Sequence, residues 1–197
     1  SSDTVQPVDV ASLTFLGEAG VSGVLTAHGG NEVLFADQGE GRVWATDSRG
    51  AASFSLTADP LLKDLDTPRI TVGTDGTGYV LTADGQLYTV TGAGSEAVTR
   101  EQGRKLEGRL SDSAQLTVVG GRMVVLDGTT LTVDGHPVTD DGFAGGILQQ
   151  PSGPSGTVVV ATSSELLKVD ISSGKVARES IPNGKPTAPV QLEGCTY

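Results

Sequence analysis

The apolar residues of this chain come in short runs separated by polar turns, and the alternation repeats. "VLFADQGEGRVWATDSRG" from Val33, "VLTADGQLYTVTGAG" from Val80, "VVLDGTTLTVDG" from Val124 and "VVVATSSELLKVDISSG" from Val158 each hold an apolar run, a polar turn, an alternating segment and a second turn. Period two is clearest where Leu87 and Thr89 alternate with Tyr88 and Val90, and where Leu131 and Val133 alternate with Thr130 and Thr132, which is the pattern of β-strands. Aligned at Val43, Leu87, Leu131 and Leu166, the copies step by 44, 44 and 35 residues. Another short apolar run precedes each copy ("GVLTA" at Gly23, "RITVG" at Arg69, "QLTVV" at Gln115, "GGILQ" at Gly145), and a weaker segment such as "AASFSL" or "KVARESI" follows.

Four short strands repeated about every 40 residues form the blade of a β-propeller, whose blades pack face to face because none is stable alone. The expected fold is therefore all-β, a propeller of four-stranded antiparallel blades over residues 23–60, 69–103, 115–141 and 145–182. A fifth, incomplete blade is expected from residues 186–197 together with 5–16. Either these ends close a five-bladed ring, or the chain is part of a larger one. One helical turn or two is expected at 60–65, where Asp59 can cap and Pro60 suits the first position of "DPLLKDLD". The stretch "TREQGRKLEGRLSDS", with Arg100, Arg104, Lys105 and Arg109 against Glu101 and Glu107, reads as a solvated connection.

Composition sharpens this picture. Glycine is 28 of 197 residues, about twice the usual ~7%, which implies many tight turns. The net charge of −11 makes nucleic acid and anionic membrane poor partners, since phosphate would be repelled; cations or basic protein faces fit better, and acidity also serves plain solubility. The single cysteine, Cys195, has no partner for an internal disulfide; it either pairs outside this segment or acts as a small apolar residue. No apolar run approaches the ~20 residues needed to span a bilayer, and "SSDTVQPVDV" lacks the order of a signal peptide, so any signal or anchor is expected outside this segment.

Each candidate for chemistry meets a simpler reading. "GAGSEA" at Gly92 has the glycine spacing of a dinucleotide loop, but "VTREQG" after it is too short for the required helix. "GTDGTG" at Gly73 has the spacing of a phosphate loop, yet Tyr79 and Val80 stand where Lys and Ser or Thr are needed. The Asp-Gly pairs at Asp75, Asp84, Asp127 and Asp134 read as hairpin turns, where both central residues would take positive φ. Asp64 with Asp66, and Asp140 with Asp141, are the carboxylate pairs that a loop cation site would use, but adjacent solvated carboxylates bind weakly. His28 and His136 are the two available bases, each among glycines, and no serine sits in Gly-x-Ser-x-Gly. Trp44 and Tyr88 occupy third-strand positions where packing between blades accounts for them better than ligand stacking. No catalytic, cofactor-binding or metal-ligating residue is assigned.

"NEVLFADQGEGRVWATD", "TVGTDGTGYVLTADGQLYTV" and above all "KPTAPVQLEGCTY" resemble the propeller-like extracellular region of large actinobacterial, bifidobacterial-type surface proteins carrying fibronectin type III or immunoglobulin-like domains. In that family a segment of the form PxAPVxxxGCxYxAW recurs, and Pro186–Tyr197 matches its first part. The resemblance implies a non-enzymatic interaction module at the cell surface, anchored to the membrane through a segment outside this chain, with a cell-envelope or host protein as partner and no cofactor. No functional residue carries over. The first expectation is accordingly a non-catalytic extracellular propeller that binds another protein through blade loops, with no small-molecule ligand. The alternative is a propeller-type carbohydrate-active or lactone-hydrolysing enzyme, and a third reading is a structural spacer in a surface stalk.

Overall fold

A computed structural model describes residues 24–50, 54–92, 108–149 and 156–181, together with the backbone of short strands elsewhere. Two compact units divide the chain, Ser1–Arg109 and Leu110–Tyr197. In the first unit β5 (Val24–Gly29), β6 (Glu32–Asp37) and β7 (Arg42–Asp47) make a three-stranded antiparallel meander. A four-stranded one follows: β8 (Arg69–Val72), β9 (Gly78–Leu81), β10 (Gln86–Thr91) and β11 (Ala97–Lys105). The second unit repeats the four-stranded form twice. Its third sheet is β12 (Gln115–Val119), β13 (Arg122–Asp127), β14 (Thr130–Val133) and β15 (His136–Thr139). Its fourth is β16 (Ile147–Leu148), β17 (Thr157–Ala161), β18 (Glu165–Asp170) and β19 (Val176–Ser180). In each of these four sheets the spatial order of strands is the chain order, the up-and-down blade of a β-propeller. The fold is all-β and built from such blades, and among the described residues the helical content is one 3-10 turn at Asp141–Phe143.

The expected terminal blade, residues 5–16 with 186–197, falls largely outside the described residues. The strands described there pair locally: β1 (Thr4–Val5) with β4 (Ala19–Gly20), β2 (Val8–Asp9) with β3 (Thr14–Phe15), and β20 (Gln191–Leu192) with β21 (Cys195–Thr196).

Register explains the burial. Directly opposed residues of an antiparallel pair share a face, and neighbours along a strand alternate faces. Ala36 opposes Val43 and Leu34 opposes Ala45, so these four line one side of the first sheet, while Phe35 and Trp44 line the other. The first side packs against Val72, Val80 and Val90 of the second sheet, and this is the core of the first unit. In the second unit Val124, Leu126, Leu131 and Val133 face Val158, Val160, Leu167 and Val169, with Phe143 and Leu148 filling between. Glycine sets how closely the first two sheets approach. A Cβ on Gly29 would collide with the carbonyl oxygen of Gly73, and one on Gly30 would come within 3.2 Å of the Gly76 Cα, so the β5–β6 and β8–β9 hairpin ends lie backbone against backbone.

Two sequence expectations are corrected. Residues 60–65 form no helix: Leu62 makes an isolated antiparallel bridge with Val43, exchanging hydrogen bonds of 2.9 and 3.1 Å, and the Leu65 N–H donates to Gly41 O. The backbone of Asp64 (φ 59) and Thr67 (φ 41) is left-handed, and Thr67 precedes Pro68, which disfavours the α region. Leu61, Leu62 and Leu65 all pack on the first unit's core from this extended course. The bridge cannot lengthen toward the chain's start, because the next hydrogen-bonded pairing along β7 would set Ala45 against Pro60, which has no N–H to donate. Second, residues 99–105 of the expected connection continue β11, the fourth strand of the second sheet. Thr91 opposes Ala97 and Tyr88 opposes Arg100, after which the register jumps to Gln86 against Lys105, so a bulge absorbs the extra residues of β11.

Polar side chains tie the two sheets of the second unit. The Gln115 amide replaces a stretch of strand: its Nε2 donates to Gly146 O and its Oε1 accepts from the Leu148 N–H, each at 2.8 Å. The Arg122 guanidinium donates to Asp134 and to the Ile171 carbonyl, both at 3.0 Å. Replacing Gln115 with Leu keeps the bulk and strands both backbone groups, so urea unfolding should show a loss of about 1–3 kcal/mol.

Candidate functional site

Each position singled out for chemistry has a definite place. The glycines of "GTDGTG" close the β8–β9 hairpin. The Gly73 N–H donates to Thr77 O at 2.8 Å, Gly76 takes φ 83, and Asp75 Oδ1 accepts from the Thr77 N–H at 3.0 Å. Gly92 (φ 89) ends β10 and the chain re-enters a strand at Ala97, so "GAGSEA" lies at a hairpin rather than before a helix; residues 93–96 are outside those described.

The four Asp-Gly pairs read as hairpins, at Asp75, Asp84, Asp127 and Asp134, all sit in turns, but by different means. Only Asp134 (φ 48) and Gly135 (φ 86) both take positive φ, as expected of the two-residue hairpin. At Asp84–Gly85 the glycine alone does (φ 87): the Gly85 N–H donates to Thr82 O, and the Thr82 hydroxyl donates to the Asp84 carboxylate. At Asp127–Gly128 the glycine is again the left-handed residue (φ 60), while the Asp127 carboxylate accepts from the Ser111 N–H at 3.0 Å and from its hydroxyl.

The paired carboxylates are split. Asp66 receives both Nη atoms of Arg109 and the Thr67 hydroxyl, while Asp64 is exposed beside it. Asp140 caps the 3-10 turn by accepting from the Gly142 N–H at 2.8 Å and pairs with Arg178, which also reaches Glu165 at 3.2 Å; Asp141 is exposed. Among the described residues no group of three or more His, Cys, Asp or Glu is positioned to hold a metal ion. His28 lies exposed on β5 and His136 exposed at the start of β15. Cys195 stands opposite Leu192 in a short strand pair.

Trp44 is buried, and its Nε1–H donates to Ala58 O at 2.9 Å. Its cover differs from the expectation of packing between blades. Val33, Phe35 and Trp44 are packed by Val24 of β5 and by Phe54 and Leu56 of the segment after β7. The Phe35 and Phe54 rings stack with centroids 5.2 Å apart, and the Arg42 guanidinium lies over the indole. Tyr88 packs on the core between the first two sheets.

What this leaves at the surface is a set of loop tips on stiff supports. In the first unit Gly30, Asn31, Arg49, Thr74 and Asp75 are exposed at one end of the two meanders. Their bases are fixed by the Gly29–Gly73 approach, by Ser48 N–H donating to Asn31 O at 2.9 Å, and by Asp47 accepting from the Gly50 N–H at 2.7 Å. The residues that hold the tips were not legible as a site, because the signal is distributed over glycines and turn acids that every hairpin uses.

Turn and ion-pair geometry also lowers carboxylate pKa values. The Gly50 N–H, then Arg49, lowers Asp47; Arg109 lowers Asp66; the Gly142 N–H and then Arg178 lower Asp140; the Ser173 N–H and hydroxyl lower Asp170; and Lys168 lowers Glu179. Each favours the ionised form.

No family model matches the chain, and no curated protein matches it. Solved structures do. The extracellular domain of a B. thetaiotaomicron protein assigned as a hybrid two-component system superposes with a TM-score of 0.56 at 12% identity, covering 95% of this chain and 28% of that one. The WD40 domain of SCAP from fission yeast gives 0.48 at 10% identity over 98% of this chain and 56% of that one. Myxococcus xanthus glutaminyl cyclase gives 0.41 at 19% identity over 77% and 66%. The first likeness bears on fold alone, the other two are too distant to carry an argument, and this chain spans little more than a quarter of the first neighbour's length.

Two outcomes follow from this geometry. Trp44→Ala should cost about 3–5 kcal/mol in urea unfolding followed by circular dichroism, as expected for a buried aromatic, whereas a cost below about 1 kcal/mol would mark the indole as accessible to ligand. The lowered carboxylates make the unfolded chain bind more protons at acid pH, so stability is fully present above the ordinary carboxylate range, about pH 4–5, and is lost as pH falls below it. The urea midpoint should therefore drop from pH 6 to pH 3, and Asp140→Asn should start lower at pH 6 and fall less.

Proposed function

We propose that this chain is a non-catalytic β-propeller segment that binds another protein through its loop ends, and that it works at a cell surface. The observation that carries the reading is the division of labour at those ends. The loop carboxylates are spent on turns and arginines, as at Asp66, Asp127, Asp134 and Asp140, while the tips at Asn31, Arg49 and Thr74 stand exposed on rigid hairpins. Exposed polar tips held by a stiff scaffold suit recognition of a macromolecular surface. The net charge of −11 favours a partner with a basic face and disfavours nucleic acid.

The surface location rests on the resemblance of Pro186–Tyr197 to bifidobacterial-type fibronectin type III surface proteins. It is also the setting of the B. thetaiotaomicron domain, and among the described residues no helix is long and apolar enough to cross a membrane. The anchor in this reading lies in a segment outside the chain.

A ligand at about 100 times its Kd adds about 2.7 kcal/mol to the folded state, which is a rise of several degrees in Tm. Thermal scans with calcium, with chelator and with a glycan panel should leave the midpoint unchanged. A protein captured from an envelope extract should lose its affinity on Asn31→Lys with Thr74→Lys, which sets positive charge against its basic face, with Tm retained. A metal- or glycan-dependent rise in Tm, or a hydrolase activity abolished by one carboxylate substitution, would overturn the proposal.

A further inference from the structure

The two faces of the fourth sheet differ in cover. Leu148, Val160 and Leu167 lie in the core of the second unit, and the opposite face carries Ile147, Ala161 and Leu166 in register with one another, of which Ala161, like Val159 beside it, is already buried, leaving Ile147 and part of Leu166 accessible. Position by position in the repeat, Leu166 corresponds to Val43, Leu87 and Leu131, each on the third strand of its sheet and opposed by Ala36, Leu81 and Leu126. Those three are fully buried, whereas Leu166 is half-buried and Ile147, next to it across Ala161, is 48% exposed. Farther out, Lys168 and Glu179 pair at 2.7 Å and give that part of the sheet a charged rim. The inner half is thus an apolar patch of the kind a blade buries against another element.

The same unit contains a segment of matching character. In the hairpin of β20 and β21, Leu192 opposes Cys195 and Gln191 opposes Thr196, so the backbone register gathers one apolar pair on one face and one polar pair on the other. From Ser180, where β19 ends, to Gln191 is eleven residues, enough to reach about 35 Å when extended. We propose that this hairpin docks its Leu192–Cys195 face on the inner half of the fourth sheet, against Ile147 and Leu166. The patch is covered by the chain's own C-terminal segment and is not the surface offered to a partner.

The single cysteine reports on this directly, because a thiol held against an apolar face is shielded from reagent and its thiolate is disfavoured. In the full chain, Cys195 should react with a chromogenic disulfide reagent at least about tenfold more slowly than in the urea-unfolded chain. Ile147→Glu should restore a rate near the unfolded one while the circular dichroism of the sheets persists, and Ser163→Glu, which adds the same charge in an exposed turn away from the patch, should not. Should Ile147→Glu fail to fold, Ile147→Cys under oxidised glutathione replaces it and should give a monomer in which mass spectrometry finds the introduced thiol crosslinked to Cys195. A native Cys195 that reacts at the unfolded rate, protection that survives Ile147→Glu, or disulfide-linked dimers from Ile147→Cys would each overturn the docking; dimers would place a second copy on the patch.

Discussion

A small antiparallel sheet with apolar side chains on both faces cannot stand in water by itself, and the rest of this structure answers that constraint. Strict alternation sends Ala36 and Val43 one way and Phe35 and Trp44 the other, so burying one face leaves a second to be covered. The first unit solves the problem in two ways at once. One face of the first sheet meets the second sheet at Val72, Val80 and Val90, and the other is closed by Phe54 and Leu56. At about 25 cal/mol per Å2 of apolar surface, each buried aromatic or aliphatic side chain adds about 1.5–3 kcal/mol, so these contacts rather than the turns hold the sheets together.

Glycine and polar side chains then decide how the sheets meet. The approach of Gly29 to Gly73 leaves no room for a side chain, so the hairpin ends of the first two sheets are fixed by backbone contact and not by interdigitation. In the second unit the junction is made by hydrogen bonds. Gln115 supplies a donor and an acceptor to the edge of β16, and Arg122 reaches the carbonyl of Ile171. A partly buried backbone N–H or C=O must be paired, and a side-chain amide can satisfy one of each from two separate atoms. That is why a glutamine opens the otherwise apolar run "QLTVV".

Much of this was legible because strands with one apolar face carry a period-two signal, and the four copies were found on that signal alone. What escaped the sequence did so for physical reasons. "TREQGRK" carries no alternation, since an outermost strand has little to bury, and its pairing with β10 depends on backbone bonds that any residue can make. "DPLLKDLD" has a capping residue and leucines at spacings that suit a helix, but three leucines can reach the same core from an extended course, and Pro68 with the left-handed Asp64 and Thr67 selects that course. The Asp-Gly pairs were read correctly as turns and incorrectly as one kind of turn. Positive φ at aspartate is costly, and among these pairs it occurs only at Asp134, whose carboxylate accepts from the Met123 N–H while its own N–H donates to Met123 O.

The equal steps of 44 residues from Val43 to Leu87 and from Leu87 to Leu131 conceal two different uses of chain. After β10 the chain adds a fourth strand, β11, before the next repeat begins. After β7 it is drawn across the Phe35–Trp44 face, where Ala58 O accepts a hydrogen bond from the indole N–H, and then along the β7 edge, where Leu62 bridges Val43. The same length of chain thus yields a strand in one case and a lid over a sheet face in the other. Pro60 is the discriminating residue, since without an N–H it cannot extend the pairing of Leu62 into a ladder. With that face closed and the other packed on the second sheet, both broad apolar surfaces of the first sheet are used internally, and recognition falls to its polar hairpin ends.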